Sequence, residues 1–172
     1  MMKAQVIPLF EKLHQSLEEM TKLYRQLLDV VRKEKEHLIS VSQVEIEKCF
    51  LQKEELIGKV RLCDMLREKY AQNLAVELGL ETTSPRLLEL AQNLPLREGD
   101  LLRQHHASLE MVIKRVQELN RENEAAAQQA LRILGGALGD IKETLAGKNT
   151  YERKGKYKTG PEQSGHFVSK EA

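Results

Sequence analysis

The sequence predicts an all-α protein: an elongated antiparallel helical bundle, or coiled coil, of three long helices plus one short helix, with a flexible C-terminal tail. Three observations carry that expectation. Apolar residues recur at steps of three and four over long stretches, breakers cluster at a few places between them, and no stretch alternates with the period of two that a half-buried strand needs. Composition agrees, because 31% charged residues, 4% aromatics and no Trp suit helices with wide solvated faces better than a deep core.

The first helix is expected from about Leu9 to Leu38, with Pro8 tolerated in its first turn. Its seam is Val6, Phe10, Leu13, Leu17, Met20, Tyr24, Leu27 and Val31, a heptad pattern widened by Leu9, Leu23, Leu28 and Val30. Ser40 and Ser42 interrupt it. Ser42 precedes Glu45 by three residues, the spacing of a capping box, so a second helix is expected from Gln43 to Leu78, where Gly79 stops it. Its apolar positions include Ile46, Cys49, Phe50, Leu56, Ile57, Val60, Cys63, Leu66, Tyr70 and Leu74. So short a break favours a tight hairpin over one bent helix. Cys49 and Cys63 stand 14 residues apart on this helix. That is roughly 21 Å, so they read as two small core residues and not as a disulfide.

Thr82, Thr83, Ser84, Pro85, Pro95 and Gly99 bracket a short helix from Pro85 to about Leu94, with Ser84 as cap and Pro85 in the first turn. Asp100 would then cap a last long helix reaching to about residue 146. Its inner face is read as Leu102, Leu109, Val112, Val116, Leu119, Ala127, Leu131, Leu134, Leu138, Ile141 and Leu145. Gly135, Gly136 and Gly139 weaken its end, each by about 1 kcal/mol relative to Ala. The expected division is a helical domain over 1–147 and a polar tail over 148–172.

Function classes narrow quickly. With 27 basic and 26 acidic residues the net charge is +1, which offers no field for a nucleic acid backbone. No apolar run approaches the roughly 20 residues of a membrane span, and a secretory leader is not evident, so a cytoplasmic protein without membrane insertion is expected. Phosphate-loop and repeat patterns are likewise not found. His105 and His106 are adjacent and point about 100° apart on a helix, so they cannot share a metal as an i, i+4 pair could. Glu11 with His14, and Glu34 with His37, match the carboxylate-histidine spacing of di-metal bundles, yet both pairs fall on one helix. No catalytic residue, metal or cofactor is therefore assigned, and the chain reads as a binding protein. Asn120 and Asn123 sit near the apolar stripe of the last helix, either as boundary residues or as a polar notch in a partner groove.

Three short stretches carry a resemblance: Lys53-Glu54-Glu55-Leu56-Ile57 in the second helix, Leu119-Asn120-Arg121-Glu122-Asn123 in the last, and Thr150-Tyr151 followed by Gly155. Together with the layout from about Leu9 to Gly155, they resemble the FlgN family of flagellar type III export chaperones. The resemblance implies a cytosolic holdase that binds hook-filament junction proteins of the FlgK and FlgL type. It would prevent their premature association and deliver them to the flagellar export gate. Client contacts would lie in the C-terminal part, on a partly covered inner face made by Val112, Val116, Leu119, Asn120, Asn123, Ala127, Leu131, Leu134 and Leu138. Tyr151 and Gly155 would serve as a gate-docking segment or as a latch over that face. Glu152, Arg153 and Lys154 between them depart from the family pattern. A structural coiled-coil scaffold and a chaperone for another secretion substrate are the alternatives that the same heptads allow.

Overall fold

The computed structural model describes residues 5–146, 150–151 and 157–158. Four helices dominate: α1 (Val6–Ile39), α2 (Gln43–Leu78), α3 (Leu87–Gln92) and α4 (Leu96–Leu145). A pair of two-residue strands follows, β1 (Thr150–Tyr151) and β2 (Tyr157–Lys158), joined antiparallel with Thr150 opposite Lys158 and Tyr151 opposite Tyr157. Hydrophobic periodicity does not register pairs this short. The chain forms two compact units, Met1–Glu124 and Ala125–Ala172, and α4 passes from the first into the second.

The first unit is built on α1, whose heptad seam is its core. Leu13, Leu17 and Val31 are wholly buried, with Phe10, Met20 and Leu27 close behind, while Tyr24 is only half-buried. Against α1, α2 runs antiparallel: Cys63 donates to the Ser16 carbonyl at 3.2 Å, and Lys53 meets Glu34 at 2.7 Å. On another side α4 runs parallel to α1, with His105 touching His14 near one end and Glu122 meeting Lys35 near the other. An up-down-up arrangement results, with α3 inside the connection from α2 to α4. Phe50 and Leu66, read as part of the inner α2 pattern, instead face solvent.

Local geometry explains each boundary. α1 and α2 both end in paired backbone bonds of the Schellman type: Ser42 N–H to His37 O and Val41 N–H to Leu38 O after α1, and Leu80 N–H to Ala75 O and Gly79 N–H to Val76 O after α2. The left-handed residue of the second is Gly79, at φ 75°, as its lack of a Cβ suits. At the hairpin it is Val41, at φ 54°. The capping box expected at Ser42 does not form, since the Ser42 side chain makes no capping bond and Glu45 is held by Lys48 at 2.7 Å.

Two further starts differ from the expected ones. α3 begins at Leu87 and not at Pro85, because the Glu89 carboxylate accepts the Arg86 N–H and sets the first turn there. α4 begins at Leu96, with the Gly99 N–H bonded to the Pro95 carbonyl at 2.8 Å, so Gly99 lies inside the helix and Asp100 is not its cap. Gly99 is a contact glycine. A Cβ there would sit 2.5 Å from the Ala91 carbonyl oxygen, so its absence lets α3 and α4 meet.

Candidate functional site

At 100° per residue, Leu102, Leu109, Val112, Val116, Leu119, Asn123, Ala127, Leu131, Leu134, Leu138, Ile141 and Leu145 fall within an arc of about 120° on α4. The helix thus keeps one apolar face over its length. Inside the first unit that face is consumed: Leu102 is wholly buried, and Leu109, Val112, Val116 and Leu119 are buried with it. Inside the second unit it is open. Leu131, Leu134 and Leu138 are 69%, 57% and 65% exposed, and Ile141 and Leu145 are exposed as well. The three leucines and Leu145 span 14 residues, roughly 21 Å of helix.

The residues expected to meet a partner therefore divide. Val112, Val116, Leu119 and Asn123 pack within the chain and hold α4 in place. Asn120 and Ala127 are half-buried, and Leu131, Leu134 and Leu138 are free to be covered. Ile141 and Leu145 extend the open face by the same spacing, a signal present in the heptad all along. Tyr151 lies in β1, opposite Tyr157, and Gly155 lies outside the described residues.

Asn123 closes a polar knot. Its amide donates to the Val31 carbonyl and to Glu34, both at 2.9 Å, while Lys53 spans the two Glu34 oxygens at 2.7 and 2.9 Å. Three helices are thereby locked in register by one buried carboxylate. Among the buried side-chain polar atoms of the described residues, Asn123 Oδ1 is the one without a hydrogen-bond partner. Nearby, Lys35 holds the Glu122 carboxyl below its ordinary range by hydrogen bonding and charge.

Two further grooves open in the first unit. One, about 440 Å³, lies along α1 and α2 beside Leu23, Leu62, Leu66 and Tyr70. Another, about 510 Å³, lies between α2 and α4 beside Tyr24, Val60, Leu109 and Ile113. The second is lined mainly by aliphatic side chains, whereas the first sets Leu23, Leu62 and Leu66 beside Lys12, Gln15, Ser16, Glu19 and Lys59. Cys63, which lines the first, has its thiol pushed upward by burial and by nearby Glu19 and Asp64; Cys49 is raised chiefly by burial. Both stay protonated at neutral pH. No three metal-binding side chains converge among the described residues, and no described helix is long and apolar enough to cross a membrane.

Comparison with known proteins places this architecture. No curated protein and no solved structure matches the chain. The family model described as FlgN protein matches residues 1–159 of its 172. A match over so much of the chain, on a helical bundle with an open apolar helix face, makes the protein a member of the FlgN family of flagellar export chaperones.

Proposed function

We propose that the protein is a cytoplasmic export chaperone for hook-filament junction proteins of the FlgK and FlgL type, which it keeps from associating early and hands to the flagellar type III export gate. The observation that carries this reading is the uncovered face at Leu131, Leu134, Leu138, Ile141 and Leu145. A client segment that folds into an amphipathic helix would lay its apolar stripe on that face, and self-assembly surface on the client would be masked meanwhile. Ordering the client on binding costs free energy, which holds affinity at a level from which release is practicable. Family membership supports a flagellar export client, and the open face supplies the physical means to hold it; Tyr151 and Gly155 are our candidates for gate docking or for a latch over that face.

The test is Leu131→Asp with Leu138→Asp, measured by calorimetry against helix-forming peptides of junction proteins. Each exposed leucine contributes about 1.5–3 kcal/mol when fully covered, so the pair should weaken binding at least about 100-fold. Helix content should stay near that of the wild type, because neither side chain packs within the chain. Unchanged affinity in the folded variant removes the face from client binding. Tyr151→Ala addresses delivery: it should weaken binding of the chaperone-client complex to the cytosolic domain of the gate while leaving client affinity alone.

A further inference from the structure

α2 carries apolar residues on two opposite faces. Cys49, Leu56, Cys63 and Leu74 line the buried one. On the other, Val44, Leu51, Leu62, Met65 and Val76 are between 62% and 71% exposed. At 100° per residue these five, with Gly58, fall within an arc of about 60°. Gly58 is the unusual member. A helix-interior glycine costs about 1 kcal/mol relative to Ala, and a Cβ placed at Gly58 would meet nothing within 4 Å. Packing inside the chain gives no reason for it.

Charge along this face has an order. Glu47, Glu54 and Glu55 with Lys48 precede Gly58, whereas Lys59, Arg61 and Lys69 with Glu68 follow it. Glu55 is engaged by Lys59 at 2.6 Å, but among the described residues Glu47 and Lys69 form no ion pair. One half of the stripe thus carries an acidic excess and the other a basic excess, with a residue lacking a side chain between them.

We propose that this face is the interface of a homodimer, in which α2 of a second copy packs antiparallel across a two-fold axis at Gly58. Antiparallel two-fold packing makes a surface complementary to itself. With Gly58 facing Gly58, Leu51 lies opposite Met65 of the second copy and Glu47 opposite its Lys69, while Glu54 falls on the same flank as its Arg61. Glycine at the crossing lets the backbones approach where the helices are closest. A parallel pairing would set Glu47 against Glu47 and Lys69 against Lys69, so the charge order selects the antiparallel one.

Light scattering on the purified full chain should return about twice the 19.7 kDa chain mass at high concentration. Glu47→Lys and Lys69→Glu, made singly, should each weaken dimerisation about tenfold, and the double variant should regain the wild-type mass. Such rescue has to act between copies, because 22 residues of helix keep the two positions roughly 33 Å apart in one chain. Gly58→Cys should form a covalent dimer under mild oxidant, whereas the wild type, with Cys49 and Cys63 buried, should not. A single-chain mass at every concentration overturns the proposal, as does a double variant no better than the single ones. Should Leu51→Asp lower client affinity in a chain that is always monomeric, the face belongs to the client instead.

Discussion

The contact that most directly couples single residues to solution conditions is between His105 and His14, whose ring nitrogens Nε2 and Nδ1 lie 2.7 Å apart where α4 meets α1. Ninety-one positions separate the two histidines, so no local pattern in the sequence announces them. Phe10 stacks on the His14 ring from one side, and Glu18 lies 3.5 Å from its Nε2. Lys22 and Arg25 from α1 and Gln104 and Ser108 from α4 line the same hollow. One ring donates and the other accepts, an arrangement that double protonation destroys because neither facing nitrogen can then accept. Burial, and then the charge of His14, lower the His105 pKa below 6.5, with Glu18 opposing. The unfolded chain therefore binds this proton more readily than the folded one. Its stabilising contribution is complete above pH 6.5 and is lost as pH falls through the lowered value. Thermal unfolding followed from about pH 8 to pH 5 should show a steeper loss for the wild type than for His105→Gln; parallel curves would remove the pair from the account. Val41 offers a second case. A β-branched residue held at φ 54° is strained by about 1–2 kcal/mol, and Asn tolerates that region better. With its side chain 80% exposed, little packing is lost, so Val41→Asn should raise the urea midpoint by an amount worth about 1 kcal/mol.

Between elements, register depends on the knot of Glu34, Lys53 and Asn123, one residue from each long helix. Removing the ammonium by Lys53→Met leaves a carboxylate that is 9% exposed with only an amide donor, which should cost about 2–4 kcal/mol in urea unfolding. A cost below about 0.5 kcal/mol would mean that water enters and replaces the lysine. At Gly99 the constraint is steric: Gly99→Ala puts a methyl 2.5 Å from the Ala91 carbonyl oxygen, and backbone on that side cannot rotate away as a side chain could. The sequence could be read for the helices themselves because burial follows period, as α2 from Gln43 to Leu78 illustrates, closed by a glycine in the left-handed region. Gly99 was misleading for the same reason. A glycine required by a neighbouring backbone and a glycine that ends a helix look alike until the neighbour is in place. Ser42 with Glu45 has capping-box spacing, but Lys48 competes for the same carboxylate one turn later. Likewise the α4 face was legible as a stripe, whereas the change from buried at Leu119 to open at Leu131 depends on which other helices lie beside it.

For the molecule as a chaperone, the question is how an apolar face stays open and still helical before a partner arrives. Residues up to Asn123 have tertiary packing to stabilise α4, but from Ala125 on the side chains are almost all exposed, so helicity there depends on intrinsic propensity. That propensity is divided against itself. Ala125, Ala126, Ala127 and Ala130 favour the helix, while Gly135, Gly136 and Gly139 each oppose it by about 1 kcal/mol. None of the three glycines has an atom within 4 Å of where a Cβ would stand, so no contact requires them. At 100° per residue all three fall outside the arc that holds Leu131, Leu134, Leu138, Ile141 and Leu145. Replacing all three by Ala should therefore stiffen the helix without altering the face offered to a client. If the client binds α4 as a helix, part of the ordering cost is removed in advance and affinity should rise, by about tenfold for each 1.4 kcal/mol of cost removed. Circular dichroism of the free variant should show more helix, and calorimetry with a junction-protein peptide should show tighter binding with a less unfavourable entropy. More helix accompanied by weaker binding would mean that the client requires this segment to bend or unwind, with the glycines serving as the hinge.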